Sequence, residues 1–122
     1  MAMEQIHFNL DLLGPGVRYR DFAEKSFKLP PAFAPNRYSV IFHGVGLCDE
    51  YPASLYLEDY AAGHGYDGVL EPGMTVCVES YIGEVGGDEG VKLEQHVLIT
   101  EKGYQQLSTF PFEPELMPSR WL

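Results

Sequence analysis

Near the start of the chain, apolar residues recur three and four apart. Within residues 3–13, Ile6, Leu10 and Leu13 share one stripe, which predicts an amphipathic helix. Leu13-Gly14-Pro15-Gly16 interrupts it. A second helix is predicted from Val17 to Lys28, with Val17, Phe22 and Phe27 as its apolar surface and Leu29 just beyond. Its mixed acids and bases suit a solvated face. Leu29-Pro30-Pro31 is the predicted stop, because proline lacks an amide donor and biases the preceding residue away from helix. Beyond this point the pattern shortens toward a period of two. Ser39 to Phe42 is a short β-prone run, and Met74 to Ile82 and Val91 to Thr100 are longer ones. Glycine-rich Gly83 to Gly90 reads as their hairpin connection, with turns at Glu71-Pro72-Gly73 and Glu101-Lys102-Gly103. Asp49 to Gly68, rich in Tyr, Asp and Gly, is predicted to be a long loop. The proline-bearing tail from Phe110 to Leu122 is predicted to lie across the surface. Two helices followed by antiparallel strands give an α+β fold.

The length of 122 residues suits one domain, and 45% apolar residues suffice for a core. The formal net charge of −10 repels phosphate backbones and anionic lipid, which argues against nucleic acid and membrane as partners. No apolar run approaches ~20 residues, and Met1 to Asp11 lacks the pattern of a signal peptide. A cytoplasmic location is therefore expected. The two cysteines, Cys48 and Cys77, are too few for a disulfide framework and are expected to be reduced, largely buried thiols.

Strand alternation sorts the polar residues. Glu79 shares a face with Thr75 and Cys77, opposite Met74, Val76 and Val78. Glu94 shares a face with Lys92 and His96, opposite Leu93 and Gln95. Acids bordering apolar strands are exposed, paired or bound to metal, because an unpaired buried carboxylate is costly. If the two strands pair, Glu79 and Glu94 approach one another, and their repulsion favours a cation between them. His43 follows Val40-Ile41-Phe42 and precedes Gly44-Val45-Gly46, where small residues are expected to leave space beside the imidazole. One imidazole with two carboxylates suits Zn, Mn, Fe or Co. Each residue taken singly also fits a plainer role, the acids as exposed strand residues and His43 as a hydrogen-bonded structural histidine. Among the other candidates, His96 reads as either a residue supporting the ligands or a surface histidine. His64 reads as a turn residue, and His7 as exposed on the first helix. Arg37 and Tyr38 precede the His43 strand and are candidates to face the same cleft.

Several of these segments together resemble the pita-bread metalloenzymes, the group of aminopeptidase P, prolidase, creatinase and methionine aminopeptidase. His43-Gly44-Val45-Gly46 resembles the element carrying the family's ligand histidine, and Leu70-Glu71-Pro72-Gly73-Met74 the turn before its first ligand glutamate. Gly90-Val91-Lys92-Leu93-Glu94, followed by Val97-Leu98-Ile99-Thr100-Glu101-Lys102-Gly103, resembles its Gly-Val-Arg-x-Glu…Val-Thr-Glu-x-Gly segment. Leu12-Leu13-Gly14-Pro15-Gly16-Val17 resembles its Lys-Pro-Gly-Val connection between helices. The resemblance implies the C-terminal half of the pita-bread fold, two helices packed on an antiparallel sheet, with residues 1–122 as a single partial domain. It implies His43, Glu79 and Glu94 as metal ligands, with Glu94 bridging and Glu79 placed to pass a proton. One or two divalent ions (Mn, Zn, Fe or Co) would activate water against short peptides with proline after the scissile bond.

Two departures from the family pattern shape the expectation. The family's upstream ligand aspartates have no counterpart here, so the chain is expected to be a fragment, inactive alone. Its partner would be the missing N-terminal half or a homodimer mate. Peptidases of the group also carry a second histidine about seven residues after the ligand histidine, where this sequence has Asp49-Glu50. That segment resembles the iron-dependent dimethylsulfoniopropionate lyase branch, in which an aspartate six residues past the histidine abstracts a proton, a role implied here for Asp49. Asp49 otherwise reads as a solvated loop acid or a partner of Arg37. The expectation is thus a peptidase-like hydrolase. The alternatives are a lyase using Asp49 as base and a non-catalytic protein-binding module.

Overall fold

The computed structural model describes residues 1–116. Helix α1 spans Ala2–Leu10 and α2 spans Tyr19–Lys25. Strands β1 (Phe42–Gly44) and β2 (Ala53–Ser54) precede a short helix α3 (Leu57–Ala61), and β3 (Thr75–Gly83), β4 (Gly90–Thr100) and β5 (Gly103–Gln106) follow. The strands form one antiparallel sheet in the order β2-β1-β3-β4-β5.

Helix α1 lays Met3, Ile6 and Leu10 against β3 and β4. In β4 burial alternates along the chain, with Leu93, Gln95, Val97 and Ile99 turned inward as a half-covered strand requires. On β3 the inward residues Val76 and Val78 are fully buried, and Ser80 beside them donates to the Gln5 amide oxygen of α1 at 2.7 Å. This bond satisfies two polar groups that would otherwise be stranded in the core. Roughly 2 kcal/mol of burial free energy attends each such large apolar side chain, which is what fixes the helix on the sheet.

Several element boundaries differ from the sequence reading. Helix α1 ends at Leu10; Leu13 still joins the core, but after turn bonds in which Leu12 donates to the Asn9 carbonyl and Leu13 to the Leu10 carbonyl, rather than a further helical turn. Helix α2 begins at Tyr19, because the residues before it pair elsewhere: the Val17 carbonyl accepts from the Leu70 amide, and the Gly16 amide donates to the Leu70 carbonyl. It stops at Ser26, before the prolines, where the Phe27 amide donates to the Asn9 side-chain oxygen at 2.9 Å. A long-range bond, rather than Pro30, takes the chain out of the helix. Strand β1 is shifted past Ser39 to Phe42, so His43 lies on the strand itself.

The predicted loop 49–68 contains β2 and α3. At the start of α3, Asp59 accepts from the Tyr56 amide at 3.3 Å and from the Arg37 guanidinium at 2.8 Å, which ties the helix entry to the segment before β1. Residues 101–103 turn the chain as expected, but the continuation pairs as β5, which was not anticipated. Of the tail, Phe110 is exposed and Phe112 packs partly against the core, while residues 117–122 lie outside the described part. His7 is half-buried rather than exposed, edge-on to Phe112. Cys77 is buried and Cys48 exposed, so the expectation of two buried thiols holds for one only; both are free. Among the described residues, no helix is long and apolar enough to cross a membrane.

Candidate metal centre

The register of the three central strands decides what meets on the face away from α1. Phe42 pairs with Val78 and His43 with Cys77; on the other side of β3, Cys77 pairs with His96, Glu79 with Glu94, and Tyr81 with Lys92. Alternation then puts His43, Cys77, Glu79, Lys92, Glu94 and His96 on one face, on strands about 4.8 Å apart. The β3–β4 hairpin fixes the Glu79–Glu94 pairing. The pairing of β1 beside β3 brings His43, 36 residues upstream of Glu79, to the same place.

The side chains converge there. The His43 Nε2 atom lies 2.9 Å from Glu79 Oε1 and 3.7 Å from Glu94 Oε1. With Nδ1–H donating to the Gly44 carbonyl at 2.9 Å, the neutral ring carries its lone pair on Nε2, toward the carboxylates, whereas the protonated ring donates from Nε2 to Glu79 Oε1. Lys92 forms an ion pair with the second oxygen of Glu79, lies 3.6 Å from Glu94 Oε2, and holds its ammonium 4.4 Å from the centre of the Tyr38 ring. Glu79 is 1% exposed, whereas Glu94 is 43% exposed. A fully buried carboxylate is therefore pinned between an imidazole and an ammonium, beside a second, more exposed carboxylate.

The titration of these groups reflects the crowding. Burial pushes the Glu79 carboxyl up, and neighbouring Glu94 adds to this, against the pull of Lys92 and His43. Burial works to lower His43, but the bond to the Gly44 carbonyl and the two acids outweigh it and raise it. Glu94 is opposed by burial yet lies below the usual carboxylate range, held by the Cys77 thiol, Lys92 and His43. Lys92 is also raised, its burial outweighed by Glu79. Positive charge is what this face lacks, since three acceptor atoms meet at one point with a single ammonium beside them. Such a donor set can hold a divalent cation.

The structure brings the sequence candidates His43, Glu79 and Glu94 together. Asp49 stands instead in the exposed loop between β1 and β2. Arg37 pairs with Asp59, not Asp49, and packs 4.2 Å over the Tyr56 ring. Tyr38 does face the site, through Lys92. His64 is exposed. His96 joins the ligand face, where its Nε2 is buried without a hydrogen-bond partner among the described residues. Gly44 does not make room beside the imidazole. A Cβ there would lie 2.5 Å from the Tyr51 carbonyl carbon and 2.6 Å from Pro52 Cδ, so it serves the close approach of β1 and the returning loop.

Lys92 was overlooked as the counter-ion of Glu79, and Cys77 as a neighbour of the ligands. The signal was present for both, since each lies two residues before a candidate acid on the same strand face.

With this geometry in hand, comparison with known proteins is decisive at the level of family. The family model of metallopeptidase family M24 matches residues 2–101. The chain belongs to metallopeptidase family M24. Among curated relatives of this M24 chain is dimethylsulfoniopropionate lyase DddP of Roseovarius nubinhibens. It is 47% identical over 116 residues, which are 95% of this chain and 26% of that protein. Creatinase of a Bacillus species is 31% identical over 87% of this chain and 26% of its own length. The solved Xaa-Pro dipeptidase from Bacillus anthracis superposes with a TM-score of 0.73 at 24% identity, over 92% of this chain and 30% of that one. That likeness shows the fold, which is the α+β pita-bread fold in its C-terminal half. The chain spans about a quarter of the length of the curated relatives it matches. The M24 family is a metallopeptidase family, whose members generally bind divalent metals.

Proposed function

We propose that this chain contributes His43, Glu79 and Glu94 to a divalent-metal centre, and that the complete protein is a metal-dependent lyase acting on a small sulfonium carboxylate. The observation that supports the centre is the meeting of His43 Nε2 with one oxygen each of Glu79 and Glu94, at 2.9 and 3.7 Å. Two carboxylates and an imidazole lone pair at those separations repel one another unless a cation or protons intervene. The donor set fits Mn, Zn, Fe or Co, one ion or two with Glu94 shared between them.

The lyase reading is supported by the 47% identity to dimethylsulfoniopropionate lyase and by the loop that leaves the sheet after Gly44. That loop offers the Asp49 carboxylate where a peptidase of the group would offer an imidazole, and a carboxylate suits abstraction of an acidic carbon-bound proton. A metal bound at the centre would supply Lewis-acid chemistry, polarising the substrate carboxylate and acidifying the carbon beside it. Asp49 takes the proton from that carbon, a carbon–carbon double bond forms, and the carbon–sulfur bond breaks to release dimethyl sulfide. The face of the Tyr38 ring, which already receives the Lys92 ammonium at 4.4 Å, suits a sulfonium cation.

Hydrolysis of short Xaa-Pro peptides is the second reading, favoured by the close superposition on the Xaa-Pro dipeptidase. Glu79, as a buried ligand, would then accept and pass a proton from water. In either case we read residues 1–122 as one partial domain. Its remaining ligands would come from a preceding half, and a homodimer mate would be the alternative partner. A non-catalytic protein-binding module is the third reading, and the retained His43, Glu79 and Glu94 speak against it.

The test supplies both substrate classes to the full-length protein. Release of dimethyl sulfide into the headspace, lost by about 10²-fold or more in Asp49→Asn with metal content unchanged, supports the lyase. Proline release from a dipeptide without dimethyl sulfide overturns it in favour of the peptidase. A protein whose metal content is unaffected by His43→Ala overturns the centre.

A further inference from the structure

We propose, building on the metal-centre reading, that the Cys77 thiol is an additional donor to the centre, which gives it a soft sulfur ligand and a preference for thiophilic divalent cations. Cys77 is 6% exposed, yet it stands outside the hydrophobic core cluster, because alternation on β3 turns it away from Val76 and Val78. It lies between His43 and His96 in the strand register. One ligand atom each of His43, Cys77 and Glu94 lie within 4.8 Å of one another.

Donors around a tetrahedral zinc ion sit about 3.3–3.8 Å apart, as bonds of about 2.0–2.3 Å require. The contraction needed here is about 1 Å, and Glu94, the exposed member at 43%, is free to make it by rotating its side chain. His43 and Cys77 are held by paired backbones on adjacent strands and need not move far. A thiol serving only to fill space would be expected among apolar side chains. This one is surrounded by an imidazole and two carboxylates instead.

Coordination breaks the S–H bond, releases the proton to solvent and leaves the sulfur electron pair on the cation, with no change of oxidation state. A sulfur donor favours Zn, Co(II), Fe(II) and Cd over the harder Mn and Mg. The exposed Cys48, in the β1–β2 loop, is not part of this set.

The experiment strips the full-length protein with a chelator, keeps it reduced and loads it with Co(II). The expected spectrum has visible d–d bands, together with a near-ultraviolet sulfur-to-cobalt charge-transfer band. Cys77→Ser should keep the visible bands, lose the charge-transfer band, and weaken Cd(II) by at least about tenfold with a smaller change for Mn(II). X-ray absorption of the zinc-loaded wild type should show sulfur at about 2.3 Å, which decides the matter even if the serine variant fails to fold. Cobalt bound with visible bands but no sulfur band, or one that persists in Cys77→Ser, overturns sulfur ligation and leaves the metal centre standing. Absence of cobalt binding by equilibrium dialysis overturns both.

Discussion

Glu79 is the residue on which the candidate centre depends most, and Lys92→Met tests how it is held. The carboxylate is 1% exposed, with one oxygen 2.9 Å from His43 Nε2 and the other paired with the Lys92 ammonium. Methionine keeps the stem of Lys92 and removes its charge, so Glu79 loses its cation without leaving a cavity. Breaking a buried ion pair costs about 3–5 kcal/mol because the partner charge is left stranded. Lys92 is 36% exposed, so water screens the pair and takes over part of the solvation, which reduces the expected cost to about 1–3 kcal/mol. The assay is urea denaturation of the chelator-treated full-length protein at about pH 7.5, with Lys92→Met, Glu79→Gln and the double variant forming a cycle. The Lys92 pKa is raised above 10.5, so the lysine's contribution is fully present below that value and fades as pH rises through the higher folded-state value; on the acid side the pair is lost when Glu79, whose carboxyl burial pushes up, takes a proton. The coupling energy should be about 1–3 kcal/mol. Saturating metal should then shrink the cost of Lys92→Met, since the ion replaces the missing counter-charge and binds the native state alone. A coupling below ~0.5 kcal/mol, or a cost unchanged by saturating metal, would refute the picture of ammonium and metal serving the same carboxylate.

Two further outcomes follow from the same geometry. Gly44→Ala should cost about 1–3 kcal/mol or more, because its Cβ would meet the Tyr51 carbonyl carbon at 2.5 Å and backbone cannot yield cheaply. Gly46→Ala, with nothing within 4 Å, should stay within about 0.5 kcal/mol, and equal midpoints in urea for the two variants would contradict the tight β1–β2 approach. Burial works to raise Asp67, but Arg18 and the backbone amides of Arg20 and Gly68 outweigh it and hold the carboxyl below 3.8. Its contribution is therefore full above pH 3.8 and fades as pH falls through the lower folded-state value. Asp67→Asn should flatten the acid limb of a stability-versus-pH curve, and an acid limb that overlays the wild type would rule this out.

How much was legible beforehand depended on range. The β3 and β4 runs were readable because a half-covered strand repeats every two residues, and Leu93, Gln95, Val97 and Ile99 follow that rule without a break. Helix α3 was not readable. Its five residues are too few to show a period, and it exists because Asp59 and Arg37, 22 residues apart, meet at its first turn. The end of α2 was misread for a related reason: Asn9, from another helix, captures the Phe27 amide before proline can act. The role of Lys92 was hidden because a lysine on a strand is ordinarily solvated, and only the packing of Tyr38 and Glu79 around it shows otherwise.

The sequence alone determined which side chains share a strand face: Cys77 with Glu79, and Lys92 with Glu94 and His96. It determined the α+β class and, through its motifs, the family. Only the tertiary structure decided that Glu79 stands opposite Glu94, that β1 lies beside β3, and that His43 consequently reaches both acids. Alternation is a local property of the backbone, whereas register and strand order are set by burial energies between distant segments, which no single stretch of residues contains.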